Sequence, residues 1–556
     1  MNLLSRKYLF LIMGLLILIG LELRLVFIDL PLWYDEAQSV LIAKMSFPFE
    51  INKYLLNIDM QHTPLYFYLL HFWINIFGEN DIALRILSLI FSLATIPCIY
   101  KLAKNFVSEK FALIAPLLIV FNTFNIIYST EVRMYSIIIF LTVLSMNYLL
   151  EYLNTDSTKS LIKLTVTNLL MPYTLVGSFI FILAQIISTL AVYAKSRNLK
   201  KYLISNLFLF ILLIPYFVTI IGFYLKRSEF LLSHVTDFSI SNIFGIFQNF
   251  LAPDCGTIYW ATLNPFYINL YTIIYIFLPL FFAVYLIYLA IKNSDDKTLF
   301  LSLITLITFV AFTLFAINKT IVLAPRYLVF ISPLLLILLV SGLSKIKKTF
   351  AIAFIAYYIL FSTIYVYTNT NVKTLKTNSL MAAIEFIKSQ KFTNKDMVIM
   401  PFASSVIGHY LDKNSPQVPR IEALQDLRIY NNKNIYSEES IAEFRTKKVN
   451  DVFRKIILSD NYISDNFHNY ILKTFINPVE KGHYIVLAVF SGDTEALIPE
   501  EELKDLFSDK NYTEKNILNG MLSKMYLDIH KTIQEKAKLI DTQIIGTNVY
   551  FIYKKN

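Results

Sequence analysis

The chain has 556 residues, of which 56% are hydrophobic and 16% charged, with 50 Lys and Arg against 40 Asp and Glu. A soluble domain is typically about 45–50% apolar, and the excess here lies in the first two thirds, which excludes a purely soluble protein. The net charge of +10 does not require a nucleic-acid partner, because lysines in short cytoplasmic loops orient a membrane protein. Cys98 lies in an apolar run and Cys255 in a loop, which excludes a disulfide framework or a thiolate metal site.

A membrane span needs about 20 apolar residues. That criterion predicts about eleven spans, near 8–28, 82–103, 111–129, 134–152, 158–174, 176–194, 202–222, 266–291, 298–317, 326–343 and 349–367. The first run is long for a signal peptide and lacks a clear cleavage site, so it reads as a retained helix. With a cytoplasmic N-terminus, alternate loops are basic: Arg6 and Lys7; Lys101, Lys104 and Lys110; Lys159 and Lys163; Lys195, Arg197, Lys200 and Lys201; Lys292 and Lys297; Lys345, Lys347 and Lys348. This pattern obeys the positive-inside rule. It depends on a turn at Pro172 that separates two spans.

The opposite face then collects the unusual residues. Its first segment, 29–81, opens with Leu32-Trp33-Tyr34-Asp35-Glu36, two carboxylates behind an interfacial aromatic pair. It continues through His62 into the aromatic stretch Thr63–Trp73, which suits a helix lying in the interface. Glu131 and Arg133 sit in a tight turn between two spans. A longer loop is expected over 223–265, and Lys319, Pro325 and Arg326 occupy the next outer turn. Glu22, Arg24 and Arg85 mark the outer ends of the first two spans.

From about residue 372 the charge is mixed and no span-length run recurs. A helix is expected over Ser379–Gln390, with strands over Asp396–Phe402, Ile485–Ser491 and Gln543–Tyr553. The fold class is therefore a polytopic α-helical membrane domain, residues 1–370, followed by an extracytoplasmic α/β domain, 371–556. No internal repeat or glycine-rich phosphate loop is visible.

Ionisable residues at membrane depth are functional candidates by default. Transfer of a sugar from a polyprenyl phosphate would use the whole set. The phosphate needs fixed cations, which arginine supplies in bidentate form. The acceptor hydroxyl needs a carboxylate to take its proton, and Asp35 or Glu36 is placed for that. One direct displacement would invert the anomeric carbon. Glu131 and Arg133 can equally be an ion pair tying two helices, and Arg326 can simply snorkel.

Leu32-Trp33-Tyr34-Asp35-Glu36-Ala37, His62-Thr63-Pro64-Leu65-Tyr66, Arg85-Ile86-Leu87-Ser88, Tyr128-Ser129-Thr130-Glu131-Val132-Arg133-Met134-Tyr135 and Pro325-Arg326-Tyr327 resemble, in this order, the signatures of family 39-type glycosyltransferases. These are GT-C-fold membrane enzymes that include protein O-mannosyltransferases and the lipid A aminoarabinose transferase. The resemblance covers roughly residues 1–370. It implies Asp35 as the catalytic acid/base position with Glu36 beside it, a polyprenyl-phosphate sugar donor, and an active site away from the cytoplasm. Arg133, Arg326, Lys319 and Arg85 are the expected donor-phosphate contacts. Some relatives hold a divalent metal near the lipid phosphate, for which His62 and Glu131 are the matching positions. Two departures stand out: Thr63-Pro64 replaces a frequent Pro-Pro pair, and no outer loop can hold the large soluble domain of the eukaryotic members. The acceptor, whether lipid, glycan or protein, is not legible.

Two other classes fit part of the pattern. A transporter or flippase of lipid-linked sugars would place charges near the midplane in repeated halves, whereas the midspan polar residues here, such as Asn147 and Gln185, are uncharged. An oligosaccharide ligase would share the outer arginines without needing the Asp-Glu pair.

Overall fold

The computed structural model describes residues 6–57, 62–196, 198–231, 240–253, 277–292, 294–317, 323–368, 381–390, 392–399, 404–411, 415–416, 468–469, 471–489, 526–527, 529–545 and 548–556. It divides into two units, Met1–Leu30 with Ile42–Lys373, and Pro31–Leu41 with Thr374–Asn556. The short segment carrying Asp35 and Glu36 thus groups with the C-terminal part of the chain, not with the helices that flank it in sequence.

The first unit is helical. Apolar runs too long for a strand can satisfy their backbone inside hydrocarbon only as helices, and every expected run carries helix over its described part. Among the described residues, five helices are long and apolar enough to cross a membrane: Lys7–Leu25, Asp81–Ala103, Tyr135–Thr155, Asp296–Ile317 and Lys348–Thr368. A sixth is the bent pair Glu109–Phe121 and Thr123–Ser129, if it is counted as one span. Pro64–Phe77, Ser178–Tyr193, Leu278–Lys292 and Val329–Leu343 are apolar but shorter.

Several boundaries differ from the sequence reading. The run 111–129 is not one helix: its two parts meet at 56° around Asn122, whose side chain caps the second part by accepting from Asn125 N. The run 326–343 begins as 3-10 turns at Pro325–Tyr327 and Val329–Ile331, and only Ser332–Leu343 is α-helical. Pro172 stays inside the helix Thr158–Thr174, and the turn falls at Leu175–Gly177 instead. Proline lacks only one donor, which a membrane helix tolerates when neighbours supply the freed carbonyl. The helix Leu199–Leu231 runs past the expected span end at 222, and Ile240–Leu251 is a further helix within the expected loop; most of that loop's remainder, with Asp254 and Cys255, lies outside the described residues.

Packing within this unit uses small and polar residues where helices come close. A Cβ on Gly342 would lie 2.1 Å from the Leu286 carbonyl oxygen, so Leu278–Lys292 and Ser332–Leu343 meet backbone to backbone. Ser145, Asn168 and Gln185, all buried, close a ring of hydrogen bonds across three helices: Ser145 Oγ to Asn168 Oδ1 at 2.6 Å, Asn168 Nδ2 to Gln185 Oε1 at 3.1 Å, and Gln185 Nε2 to Ser145 Oγ at 2.8 Å.

The second unit contains a four-stranded sheet of order β1-β2-β4-β3, with β1 Met397–Ile399, β2 Tyr484–Val489, β3 Ala537–Ile545 and β4 Asn548–Lys555. β1 and β2 are parallel; β2/β4 and β3/β4 are antiparallel. Strand alternation sorts the core onto two faces. Met397, Ile399, Ile485, Leu487 and Tyr553 pack with Phe475, Ile476 and Ile529, while Val398, Val486, Ala488, Tyr550 and Ile552 pack against Ala383, Ile384, Phe386 and Ile387 of a helix over 381–389. The expected single strand Gln543–Tyr553 is in fact the facing ends of β3 and β4, with Ile545 opposite Asn548. Asp396, before β1, is buried and accepts from Thr393 N at 2.6 Å and Tyr484 N at 2.7 Å, fastening the two parallel strands.

Burial holds the His530 imidazole below its usual pKa, and the buried Tyr553 hydroxyl, its pKa pushed upward by desolvation, hydrogen-bonds His530 Nδ1. A histidine whose folded pKa lies below its unfolded value of about 6.5 leaves stability intact above that pH. Stability is lost as the pH falls below it, because the unfolded chain takes the proton first. The unfolding midpoint of the purified protein is therefore expected to fall between about pH 6.5 and 5, with His530→Gln removing part of the fall. Identical profiles for the two proteins would show that His530 contributes nothing.

Candidate active site

Both acids lie in the first turn of the helix Tyr34–Ala43, where the helix dipole favours negative charge. Trp33 is the residue before the helix, and its carbonyl accepts from Glu36 N and Ala37 N at 3.0 Å each. Glu36, three positions on, returns its Oε2 to Trp33 N at 3.2 Å. This is the carboxylate half of a capping box, made by a side chain that is only 1% exposed. Asp35 is half-buried. The pair that looks equivalent in sequence is therefore divided: Glu36 is buried and bonded to the Trp33 amide, and Asp35 is half-buried.

The other candidates belong to the helical unit. The turn Thr130–Met134 follows the bent helix pair, and its placement starts at the break. A helix ending at Phe121 leaves its last carbonyls without partners. Arg24, fully buried, meets two of them, donating from Nη1 to Val120 O at 3.3 Å and from Nη2 to Ile119 O at 3.4 Å. Its Nε donates to Ser92 Oγ at 2.9 Å. Asn122 donates to Phe250 O at 3.1 Å and Tyr358 Oη at 2.8 Å. Ser88 Oγ then donates to Arg133 O at 3.1 Å, tying the turn to the helix Asp81–Ala103.

Glu131 and Arg133 are both buried within this turn. The Arg133 Nη2 is hydrogen-bonded to His62 Nε2. A guanidinium has no lone pair to offer, so His62 Nε2 accepts, and the ring proton resides on Nδ1. His62 is itself held edge-on to Phe67 at 6.1 Å, immediately before the helix Pro64–Phe77. That helix starts from an extended Thr63 with proline in its first turn, the position where a missing N–H costs least. Arg133 also lies over the Tyr135 ring at 5.9 Å, and Arg326 over the Tyr327 ring at 5.1 Å. Tyr135 is itself buried at the start of the following helix.

Three of the residues singled out in the sequence thus meet at this turn, His62, Glu131 and Arg133, while Arg326 stands over its neighbour Tyr327. Arg85 is differently engaged. It is fully buried and donates to Ile28 O at 3.1 Å and to Leu30 O. Lys319 lies outside the described residues. Among the described residues no group of three or more His, Cys, Asp or Glu is arranged to hold a metal ion. The sequence reading did not single out Asn122 or Tyr135. Asn122-Thr123 inside an apolar run was the available signal for a break.

Residues 61–221 match the family model described as dolichyl-phosphate-mannose-protein mannosyltransferase. The fold is similar to that of ArnT from Cupriavidus metallidurans bound to undecaprenyl phosphate, with 10% identity, 99% of this chain and 98% of that chain covered, and a TM-score of 0.55. The apo state of the same protein gives 10% identity, 97% coverage of both chains and a TM-score of 0.53. The oligosaccharyltransferase of Archaeoglobus fulgidus, tethered to an acceptor peptide, gives 11% identity, 99% of this chain, 74% of that chain and a TM-score of 0.50. No curated protein sequence matches.

The hydrogen bond between His62 and Arg133 can be measured directly. His62→Ala is expected to destabilise the detergent-solubilised protein by about 1.5–3 kcal/mol, the scale of a hydrogen bond to a charged group. In the Arg133→Met background the same change should cost little. Additive losses in that double-mutant cycle would dissolve the pair.

Proposed function

Starting from a chain that has the GT-C fold and resembles the mannosyltransferases and lipid A aminoarabinose transferases of that class of membrane glycosyltransferases, we propose that it transfers a sugar from a polyprenyl-phosphate donor to an acceptor hydroxyl on the extracytoplasmic face. The observation that carries this reading is the buried turn that holds Glu131 and Arg133, with Arg133 hydrogen-bonded to His62 and stacked over the Tyr135 ring. Two arginines held over tyrosine rings are fixed cations that need not reorganise when a phosphate arrives. The ArnT structure of the same fold was solved with undecaprenyl phosphate, which supports a lipid phosphate as the anion recognised.

In this mechanism Asp35 accepts the acceptor hydroxyl's proton as its oxygen attacks the anomeric carbon. The bond from that carbon to the phosphate oxygen breaks, and polyprenyl phosphate leaves as an anion stabilised by Arg133 and Arg326. A single displacement inverts the anomeric configuration. Asp35 returns its proton to solvent. Glu36 holds the helix that carries Asp35 and takes no part in proton transfer.

Asp35→Asn is expected to lower transfer at least about a hundredfold, the lower bound of general-base catalysis, with insertion and folding intact. Glu36→Gln can still cap and should retain most activity. The assay incubates membranes with labelled polyprenyl-phosphate sugars and follows label into lipid, protein and wall-polymer fractions. Undiminished transfer by Asp35→Asn would refute the mechanism. Arg326→Ala should raise KM for the lipid donor about tenfold or more, as loss of a charge-assisted contact predicts; unchanged donor kinetics would return Arg326 to a snorkelling role.

A further inference from the structure

Among its described residues the C-terminal unit carries no catalytic constellation, yet the structure attaches the acid segment to it. Pro31–Leu41 is grouped with Thr374–Asn556, and the attachment is specific. Leu32 N donates to the Tyr410 hydroxyl at 2.7 Å. Leu32 is fully buried, and Ala37, Ser39 and Val40 after it are buried as well. Tyr410 ends the helix Ser404–Tyr410 and packs against the cluster formed by Ala383, Ile384, Phe386 and the sheet residues Val398, Val486 and Ala488. The His409 ring stands edge-on to it at 4.8 Å. The hydroxyl is therefore held by the hydrophobic core of the C-terminal unit.

The backbone at this point has few alternatives. Pro31 has no N–H, so the first two donors before the helix are Leu32 N and Trp33 N. Tyr410 takes the first and Glu36 the second. Together they fix the start of the helix whose second residue is Asp35. A general base must stand within hydrogen-bond reach of its proton, and a misplacement of about 1 Å can cost on the order of a hundredfold in rate.

We propose that the C-terminal unit acts as the positioning element of the acid segment, with Tyr410 as the positioning residue that sets Asp35 through the Leu32 amide. This rests on the proposed function, in which Asp35 is the base. The tether accounts for a soluble domain in an enzyme whose donor contacts all lie in the helical unit.

The test uses the full chain. Tyr410→Phe keeps the ring in its core and removes the hydroxyl. It is expected to lower kcat about tenfold, within the range a misplaced group can cost, with KM for the lipid donor unchanged and the unfolding midpoint close to wild type. In the Asp35→Asn background it should add no further loss. Amide exchange over residues 30–36 should quicken in Tyr410→Phe while the helical unit keeps its protection. An inactive Asp35→Asn beside a Tyr410→Phe with full kcat would overturn the positioning role alone. Full transfer by Asp35→Asn would overturn the functional reading beneath it. Should Tyr410→Phe fail to accumulate, the wild-type protein decides: a protected Leu32 amide supports the tether, and exchange at open-loop rates sinks it.

Discussion

Inside an apolar body every carbonyl released by a broken or ended helix must find a donor. Much of this protein's architecture around the candidate site answers that constraint. The break at Asn122 is possible because Arg24 donates to Ile119 O and Val120 O. The chain can leave its first helix because Arg85 donates to Ile28 O and Leu30 O. Both guanidiniums are fully buried, and a fork of five donors suits arginine better than lysine for serving several acceptors at once. Charges that look like substrate contacts at membrane depth are thus partly structural, and they make room for irregular backbone where function needs it.

The irregular backbone then carries the candidate residues. The turn after the break presents Glu131 and Arg133, and the 3-10 turn at Pro325–Tyr327 presents Arg326. Neither site could form on a straight span, whose side chains face other helices or lipid. Tyr135 and Tyr327 hold the arginines by their ring faces, which orients the cations without neutralising them. Elsewhere the unit is held by uncharged polar groups, such as the closed ring of Ser145, Asn168 and Gln185. Such neutral networks specify packing at a lower desolvation cost than buried ion pairs.

The C-terminal unit is built on different rules. The β1 and β2 strands are covered on both faces and are nearly continuous apolar runs, and this is why they could be read from sequence near their true positions. The β3–β4 pair was merged into one strand because Gln543–Tyr553 is apolar on both sides of Gly546-Thr547. Periodicity does not register a reversal of direction; only the cross-strand pairing of Ile545 with Asn548 shows it. Pro172 misled in the opposite sense, since a lost donor alone does not end a helix that neighbours support.

Local chemistry alone determined the membrane class of the first two thirds, the α/β character of the last third and the residues worth suspecting, because hydrophobic length, strand composition and stray charges are properties of short stretches. It could not separate Asp35 from Glu36, or Arg133 from Arg85. Those distinctions depend on which partner each group meets: Glu36 on Trp33 N three residues back, Arg85 on carbonyls more than fifty residues away, Arg133 on His62. Least legible was the allegiance of the acid segment, which follows one helix in sequence but is bonded to Tyr410, 378 residues further on. A hydrogen bond at that separation leaves no periodicity in the chain, so only the folded structure could reveal it.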